Sequence, residues 1–326
     1  MYGPVALLLL LAAGYALYWR SSADALAERL DNLNGHEVMP GITFAFAQKD
    51  VGGFPFRLDV VLSGVTFAEK TAGGETAWRA ENIALHMLSY GPNHFLFEAA
   101  GLQTIDWPGG DGRQHVWYVQ PGTARASAML RDGKLAQFDL DLVATEFEDA
   151  NPKAPTDSKI TADRIQFHLR TDGTSALDVA LNIEGARIGM GFLPYLGPEL
   201  PLVSAEGKLS QAQAFANLLA GTGTLASALE SWRKANGTFD ISDLTLNWGD
   251  VQARGNTQLS LDEAHRPKGK VIGFVSGGKI FGEGEAIRIL AGTTPDADGR
   301  IPLTLTVQDG LLKLHNTLLA KLDPAY

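Results

Sequence analysis

With 326 residues, 37 acidic against 27 basic side chains and a net charge of −10, the chain lacks the basic surface that displaces counterions from nucleic-acid phosphates. The same balance argues against a polybasic patch for lipid headgroups, and the absence of Cys excludes disulfides, thiolate zinc sites and cysteine nucleophiles together. A hydrophobic content of 45% with 36 Gly permits a substantial core, in one large or two modest domains.

An uncharged apolar run, Gly3–Trp19, comes first. At about 1.5 Å per residue it matches the shortest helices that cross a hydrocarbon core. Tyr15, Tyr18 and Trp19 gather at one end, where amphipathic rings favour the headgroup level. Ser21 and Ala23 supply a small-residue cleavage pattern, so a cleaved signal peptide is the rival reading. The length of the run, and the continuation of Ala23, Leu26, Leu30 and Leu33 at helical spacing, favour a retained anchor. No Lys or Arg precedes the run and Arg20 follows it, so charge is nearly silent on orientation. A single N-terminal span ahead of a large acidic domain usually places that domain outside the cytoplasm. The expected organisation is an anchor or uncleaved signal over 1–20, then a β-rich domain in two parts, 21–190 and 191–326.

Alternating runs dominate the remainder: Ile42–Gln48, Phe56–Phe67, Trp78–Leu88, His94–Ala99, Leu102–Trp107, His115–Val119, Ala124–Leu130, Leu135–Phe147, Ile160–Leu169 and Leu177–Glu184. After the Pro-rich connector Phe192–Pro201 come Gly237–Trp248, Val251–Leu261, Lys270–Val275 and Ile301–Val307. Turn chemistry such as Arg131-Asp-Gly and Gln308-Asp-Gly separates them, which predicts antiparallel hairpins. In the second run Leu58, Val60 and Leu62 share one face with Phe56, and they are the candidate lining of an apolar ligand groove. One segment differs. Ser210–Lys234 reads as a broken helix on the sheet, with Ser210 and Gln213 as a capping box and Gly221-Thr-Gly as the break. A weak repeat links Ala80–His86, Ala162–His168 and Ile241–Asn247, read either as stacked hairpins or as the common look of amphipathic strands.

Catalytic and metal motifs are lacking. The seven His have no helical metal spacing, and His86 and His168 read as ordinary sheet residues. Asp139 and Asp141 share the polar face of a strand, where solvation is expected rather than acid–base work. Gly273–Ile280 has phosphate-loop spacing but ends in Ile280, which offers no hydroxyl to a metal. Gly282-Glu-Gly-Glu lacks a third turn glycine, and Gly189-Met-Gly-Phe-Leu-Pro is blocked by Pro194. The expectation is no enzyme, no cofactor, no metal, no nucleotide and no nucleic-acid partner.

Val51-Gly-Gly-Phe-Pro-Phe-Arg-Leu-Asp59 after the span resembles the opening signature of the domain of unknown function 2125 family of Gram-negative envelope proteins. Trp78-Arg-Ala-Glu-Asn-Ile, Tyr90-Gly-Pro-Asn-His, Trp232, Asn236–Gly249, Arg266–Gly269, Ile301-Pro-Leu-Thr and Asp309-Gly are similar as well. The basic residues usual before the span are absent. The resemblance implies a single-pass inner-membrane protein with its main domain in the periplasm. It also implies strand grammar like that of lipid-transfer and outer-membrane-biogenesis proteins with long curved sheets. In its own terms, Gly52-Gly53 permits a bend, Pro55 suits a strand start, and Arg57 reads as exposed. The fold expected is mainly β with some α: a long, curved antiparallel sheet, a few packed helices and one preceding transmembrane helix. The function expected is binding of lipid or another apolar ligand along that sheet. The alternative is a structural or regulatory partner of an envelope-biogenesis machine, with the Ser210–Lys234 helix closing the concave face.

Overall fold

The computed structural model describes residues 2–71, 74–91, 93–109, 113–151, 159–171, 175–189, 197–277, 292, 294–314 and 317–326. Helix α1 (Gly3–Leu33) leads into β1 (His36–Met39), β2 (Ile42–Ala45), β3 (Gln48–Gly52), β4 (Arg57–Thr71), β5 (Gly74–Leu88) and β6 (His94–Pro108). Next come β7 (Gln114–Arg131), β8 (Lys134–Asp149), β9 (Ile160–Thr171), β10 (Leu177–Arg187) and β11 (Glu199–Leu209). A 3-10 turn (Ala212–Phe215), α2 (Ala216–Leu219) and α3 (Leu225–Lys234) interrupt the strands. The chain then returns to β12 (Phe239–Trp248), β13 (Val251–Leu261), β14 (Pro267–Ser276), β15 (Ile301–Gln308), β16 (Leu311–Leu314) and β17 (Thr317–Lys321).

The strands form a single meander. From β4 to β17 each pairs antiparallel with the next, while β2 and β3 flank the outer edge of β4 and β1 pairs with β2. The expected mainly-β antiparallel sheet is therefore the observed fold. Hairpins supply nearly all the connections. At two of them Asp132-Gly133 and Asp309-Gly310 both take positive φ (53° and 73°, 53° and 72°), as a two-residue loop between right-twisted strands requires. The division placed near residue 190 falls between β10 and β11, which pair in continuous register from Leu177–Leu209 to Arg187–Glu199. The connector over 192–196 lies outside the described residues.

A line of irregular residues crosses this sheet. One register row runs Leu62, Ile83, Ala99, Ala124, Leu142, Ile165, Ile183 through β4–β10. Two positions beyond it in successive strands lie Gly64, Glu81, Gly101, Gly122, Ala144, Asp163 and Gly185, where the pairing slips or skips. Every second strand carries its residue at left-handed φ: Gly64 at 64°, Gly101 at 82°, Ala144 at 49° and Gly185 at 59°. Between β5 and β6 and between β6 and β7 the register shifts, as bulges that bend the strand and tighten its twist. We term this aligned row of irregular positions the crease. Just past the crease Val65, Ala80, Val119, Thr145, Ala162 and Ala186 are 1–5% exposed.

The crease also settles the repeat. Glu81 and Asp163 both occupy it, on strands that run in the same direction, and Ile83 and Ile165 share one row. His86 Nδ1 lies 2.7 Å from Asp59 on the preceding strand, and His168 Nδ1 lies 2.7 Å from Asp139 in the same relation. Ile241–Asn247 lies on β12, antiparallel to both, so its likeness is that of amphipathic strands alone.

The helical interruption departs from expectation at its start. Ser210 does not cap a helix; its backbone and hydroxyl bond Thr238, closing the insertion at its base. The capping box belongs instead to Thr224 and Ser227 at the start of α3, after the predicted Gly-Thr-Gly break.

Alanine at Gly185 must adopt the left-handed region and displace the Asp163 carboxylate, whereas glycine at Ala144 releases the same conformational cost. Gly185→Ala is expected to lower stability by about 1–2 kcal/mol and Ala144→Gly to raise it by about 1 kcal/mol. Denaturant midpoints of the detergent-solubilised chain read both, and equal signs for the two variants exclude the crease as described.

Candidate functional site

The register defines two chemically distinct faces. The row that starts at Val60 continues through Leu85, Phe97, Ala126, Leu140 and Phe167. It then runs through Leu181, Ala205, Leu244, Gly255, Gly273 and Leu303. Twelve strands, β4–β15, thus contribute one apolar residue each, over roughly 50 Å at about 4.8 Å per strand. The row from Leu62 to Ile301 is aliphatic throughout, passing Ile183, Val203, Leu246, Ala253 and Val275. On the opposite face the row Asp59, His86, Leu96, Ser127, Asp139, His168, Ala180, Glu206, Asp243 is polar except at Leu96 and Ala180.

Exposure separates the faces. Along β13 Val251, Ala253, Gly255 and Thr257 are buried or half-buried while Gln252, Arg254, Asn256 and Gln258 are exposed. Strands β13 and β14 touch chiefly their neighbouring strands among the described elements. A cavity of about 270 Å³ lies there, lined by residues including Leu244, Leu246, Val271, Leu303 and Leu305. Two helical segments pack on this side, each over one part. The 3-10 turn and α3 seal Leu177, Leu209 and Phe239 with Phe215, Ala228 and Trp232. Between them and α1 the middle residues Leu140, Phe167, Leu181 and Ala205 remain half-buried.

Helix α1 covers the other part. Ala23 packs with Leu58 and Met87, and Leu30 with Val60, Leu62 and Ile83, as its helical spacing predicts; Leu33 is exposed. The candidate lining Leu58, Val60 and Leu62 therefore heads the apolar rows but is itself closed, at 6%, 0% and 6% exposure. Alternation puts the three on one face; their cover comes from a helix some 30 residues upstream, which alternation does not report.

The helix is joined to the domain by its aromatic end. Tyr15 Oη donates to the Pro55 carbonyl (2.5 Å) and lies 3.1 Å from Ser89 Oγ. Tyr18 Oη donates to the Ser89 carbonyl (3.1 Å), and Trp19 Nε1 to the Arg57 carbonyl (2.7 Å). Trp19 also meets Phe54 edge-to-face at 5.4 Å. The Gly-Gly-Phe-Pro-Phe-Arg signature is thus the seat of α1. Gly53, at φ 97°, has no room for a side chain beside the Arg57 carbonyl and Asp59. Residues 3–14 of α1 are exposed, and the helix is long and apolar enough to span a membrane.

Arg57 is exposed as expected, and pairs with Asp59 at 3.0 Å. The polar face holds its carboxylates in pairs rather than in solvent alone. Asp139 bonds His168, Ser127 and Gln137, and Asp141 forms a two-bond fork with Arg164. Partial burial raises the Asp139 carboxyl, but the bonds from His168, Gln137 and Ser127 outweigh it and hold the group below its usual value. The Arg164 bonds do the same for Asp141. These pairs tie neighbouring strands across the back of the sheet. Among the described residues no group of three His, Asp or Glu could hold a metal ion. Positions 278–280 of the phosphate-loop near-match, 282–285 and 190–194 lie outside the described residues.

The family described as an uncharacterized protein conserved in bacteria (DUF2125) matches residues 19–272. The chain belongs to that family, and the match begins at Trp19, the residue that fastens α1 to the signature. No curated protein and no solved structure matches the chain.

A buried charge at a closed position costs far more than one on a half-open face. Val60→Asp is expected to abolish folding, by more than about 4 kcal/mol, and Leu181→Asp to cost about 1–2 kcal/mol. Equal losses by circular-dichroism melts contradict an open face at Leu181. Acid gives a second readout. The depressed Asp139 carboxyl contributes stability that is complete above its ordinary value of 3.8 and is lost as pH falls through the lower folded value. The midpoint of Asp139→Asn is therefore expected to change less on acidification than that of the parent chain.

Proposed function

We propose that the protein is a non-catalytic, membrane-anchored binding protein that holds lipid acyl chains, or a ligand of the same apolar chemistry, along the open part of its sheet. The carrying observation is the twelve-strand apolar row from Val60 to Leu303, uncharged throughout and half-buried in its middle. Contiguous apolar surface of this extent is rare on a monomer and marks a ligand groove or an interface. A long, narrow apolar face suits a chain molecule better than a compact one. The apolar N-terminal helix and the large acidic domain behind it support an inner-membrane anchor with the domain in the periplasm.

A second reading rests on a different observation. Strand β17 pairs with β16, and its Leu318 and Leu319 are each 48% exposed. Among the described residues no strand pairs with the other edge of β17, and an edge of this kind accepts a strand from a partner, as expected of a component of an envelope-biogenesis machine. The helical closure that this reading asked of Ser210–Lys234 is confined to the corner around Leu177, Leu209 and Phe239.

A photo-crosslinker at Leu181 discriminates the two. The lipid reading expects capture of phospholipid in cells, with phospholipid found by mass spectrometry on the purified chain after detergent exchange. It also expects Ala205→Glu to abolish both signals. Capture of nothing at Leu181 overturns it, and capture of one discrete protein from a crosslinker at Leu318 supports the partner reading instead.

A further inference from the structure

The loops that seat α1 carry more exposed aromatic surface than seating requires. Phe54, Phe56 and Tyr90 are 55%, 66% and 69% exposed, and Leu88 is 41% exposed. All four lie within two residues of a group bonded to Tyr15, Tyr18 or Trp19: the Pro55 and Arg57 carbonyls, or Ser89. Their level along the helix is thereby set. It is the level at which the uncharged stretch ends, with Arg20 the first charge after it and Asp24 the next.

In a spanning helix that transition marks the boundary between hydrocarbon and headgroups, where Trp and Tyr rings collect. Side chains pinned beside Tyr15–Trp19 share that depth. Exposed Phe and Leu are costly in bulk water and favourable at the boundary, and Tyr90 suits it with an apolar ring and a polar tip. The nearby guanidinium groups of Arg20 and Arg57 can reach outward to phosphates while their stems stay apolar. We infer that the loops 53–57 and 88–91 sit in the interfacial layer of the bilayer that α1 enters, with Phe54, Phe56, Leu88 and Tyr90 in contact with lipid. This goes beyond binding along the sheet and rests on the anchor reading of α1. Contact at two loops and one helix fixes the tilt of the domain on the membrane, which a lone helix does not.

The Cys-free chain makes the test direct, because any introduced thiol is the only one. An environment-sensitive fluorophore is attached to Phe56→Cys, Tyr90→Cys, Leu9→Cys and Ile272→Cys in the full chain. Ile272 serves as an equally apolar reference, 53% exposed on the polar face of β14. The proteins are reconstituted in phosphatidylcholine–phosphatidylglycerol vesicles containing lipid with a nitroxide near the headgroup or at the chain terminus. Positions 56 and 90 are expected to be quenched several-fold more by the shallow nitroxide than by the deep one. Position 9 should show the reverse and position 272 neither. Labels at 56 and 90 that behave like 272 overturn the inference while leaving the anchor intact. Failure at position 9 overturns the anchor reading and the inference with it. Shallow quenching at 272 equal to that at 56 and 90 also overturns the inference, because the whole polar face would then lie on the bilayer.

Discussion

A line of backbone irregularities crosses β4–β10 and interrupts the pairing of every strand it meets. Every second strand places a left-handed residue on it, at Gly64, Gly101, Ala144 and Gly185. Between β5 and β6 and between β6 and β7 the register shifts, as bulges that bend the strand. At the other pairings a position is skipped and the register is kept. The two strand groups that repeat, with Asp59–His86 and Asp139–His168 on the back, both cross this line.

Much of this was legible in the residues, within limits set by what alternation reports. A period of two assigns side chains to faces, so Leu58, Val60 and Leu62 were placed on the apolar side. It says nothing about what lies above that side, and α1 lies above them. The crease was visible in disguise. The alternation breaks at Ala99–Leu102 and at Val119–Ala124, and each break divided one strand into two; both meet in one register shift between the continuous strands β6 and β7. Gly101 and Gly122 at those breaks were the available signal. Strand β11 was hidden because its alternation is weak around Ser204–Gly207 and it follows a Pro-rich stretch. The cap at Ser210 failed for another reason: the hydroxyl was drawn to Thr238, 28 residues away, by closure of the insertion.

The signature around Pro55 changes meaning once its partners are known. Gly, Phe and Pro in sequence suggest only a turn, and no catalytic group accompanies them. In the fold the carbonyls of Pro55 and Arg57, with Ser89 across the hairpin, receive the three aromatic side chains that end the apolar helix. Each such bond contributes about 0.5–1.5 kcal/mol net, so the set suffices to hold a helix rigidly but not to fold a domain. Folding strength comes instead from the apolar contacts of Ala23, Leu26 and Leu30 with the first strands. Continuity of α1 from Gly3 to Leu33 puts the exposed apolar half, long enough to span a membrane, and the docked half in one helix. Removing the span after Ser21 or Ala23 would take Tyr15, Tyr18 and Trp19 with it and leave their acceptors uncovered.

The same geometry sets which part of the apolar face stays open. At β4 and β5 the apolar rows are already filled by α1, and at the opposite margin of β10–β12 the corner is filled by Phe215 and Trp232. The open length lies between, over the half-buried residues of β8–β11 and on toward β15. Small residues stand in parts of it for two different reasons. At Gly255 and Gly273 a Cβ would run into the Ile272 and Arg254 carbonyl oxygens, so the close approach of β13 and β14 requires glycine. Ala126 and Ala205 are half-buried, and a larger apolar side chain at either would bury further methylenes at about 0.8 kcal/mol each. Alanine at those two positions forgoes that gain, as the binding face proposed above requires.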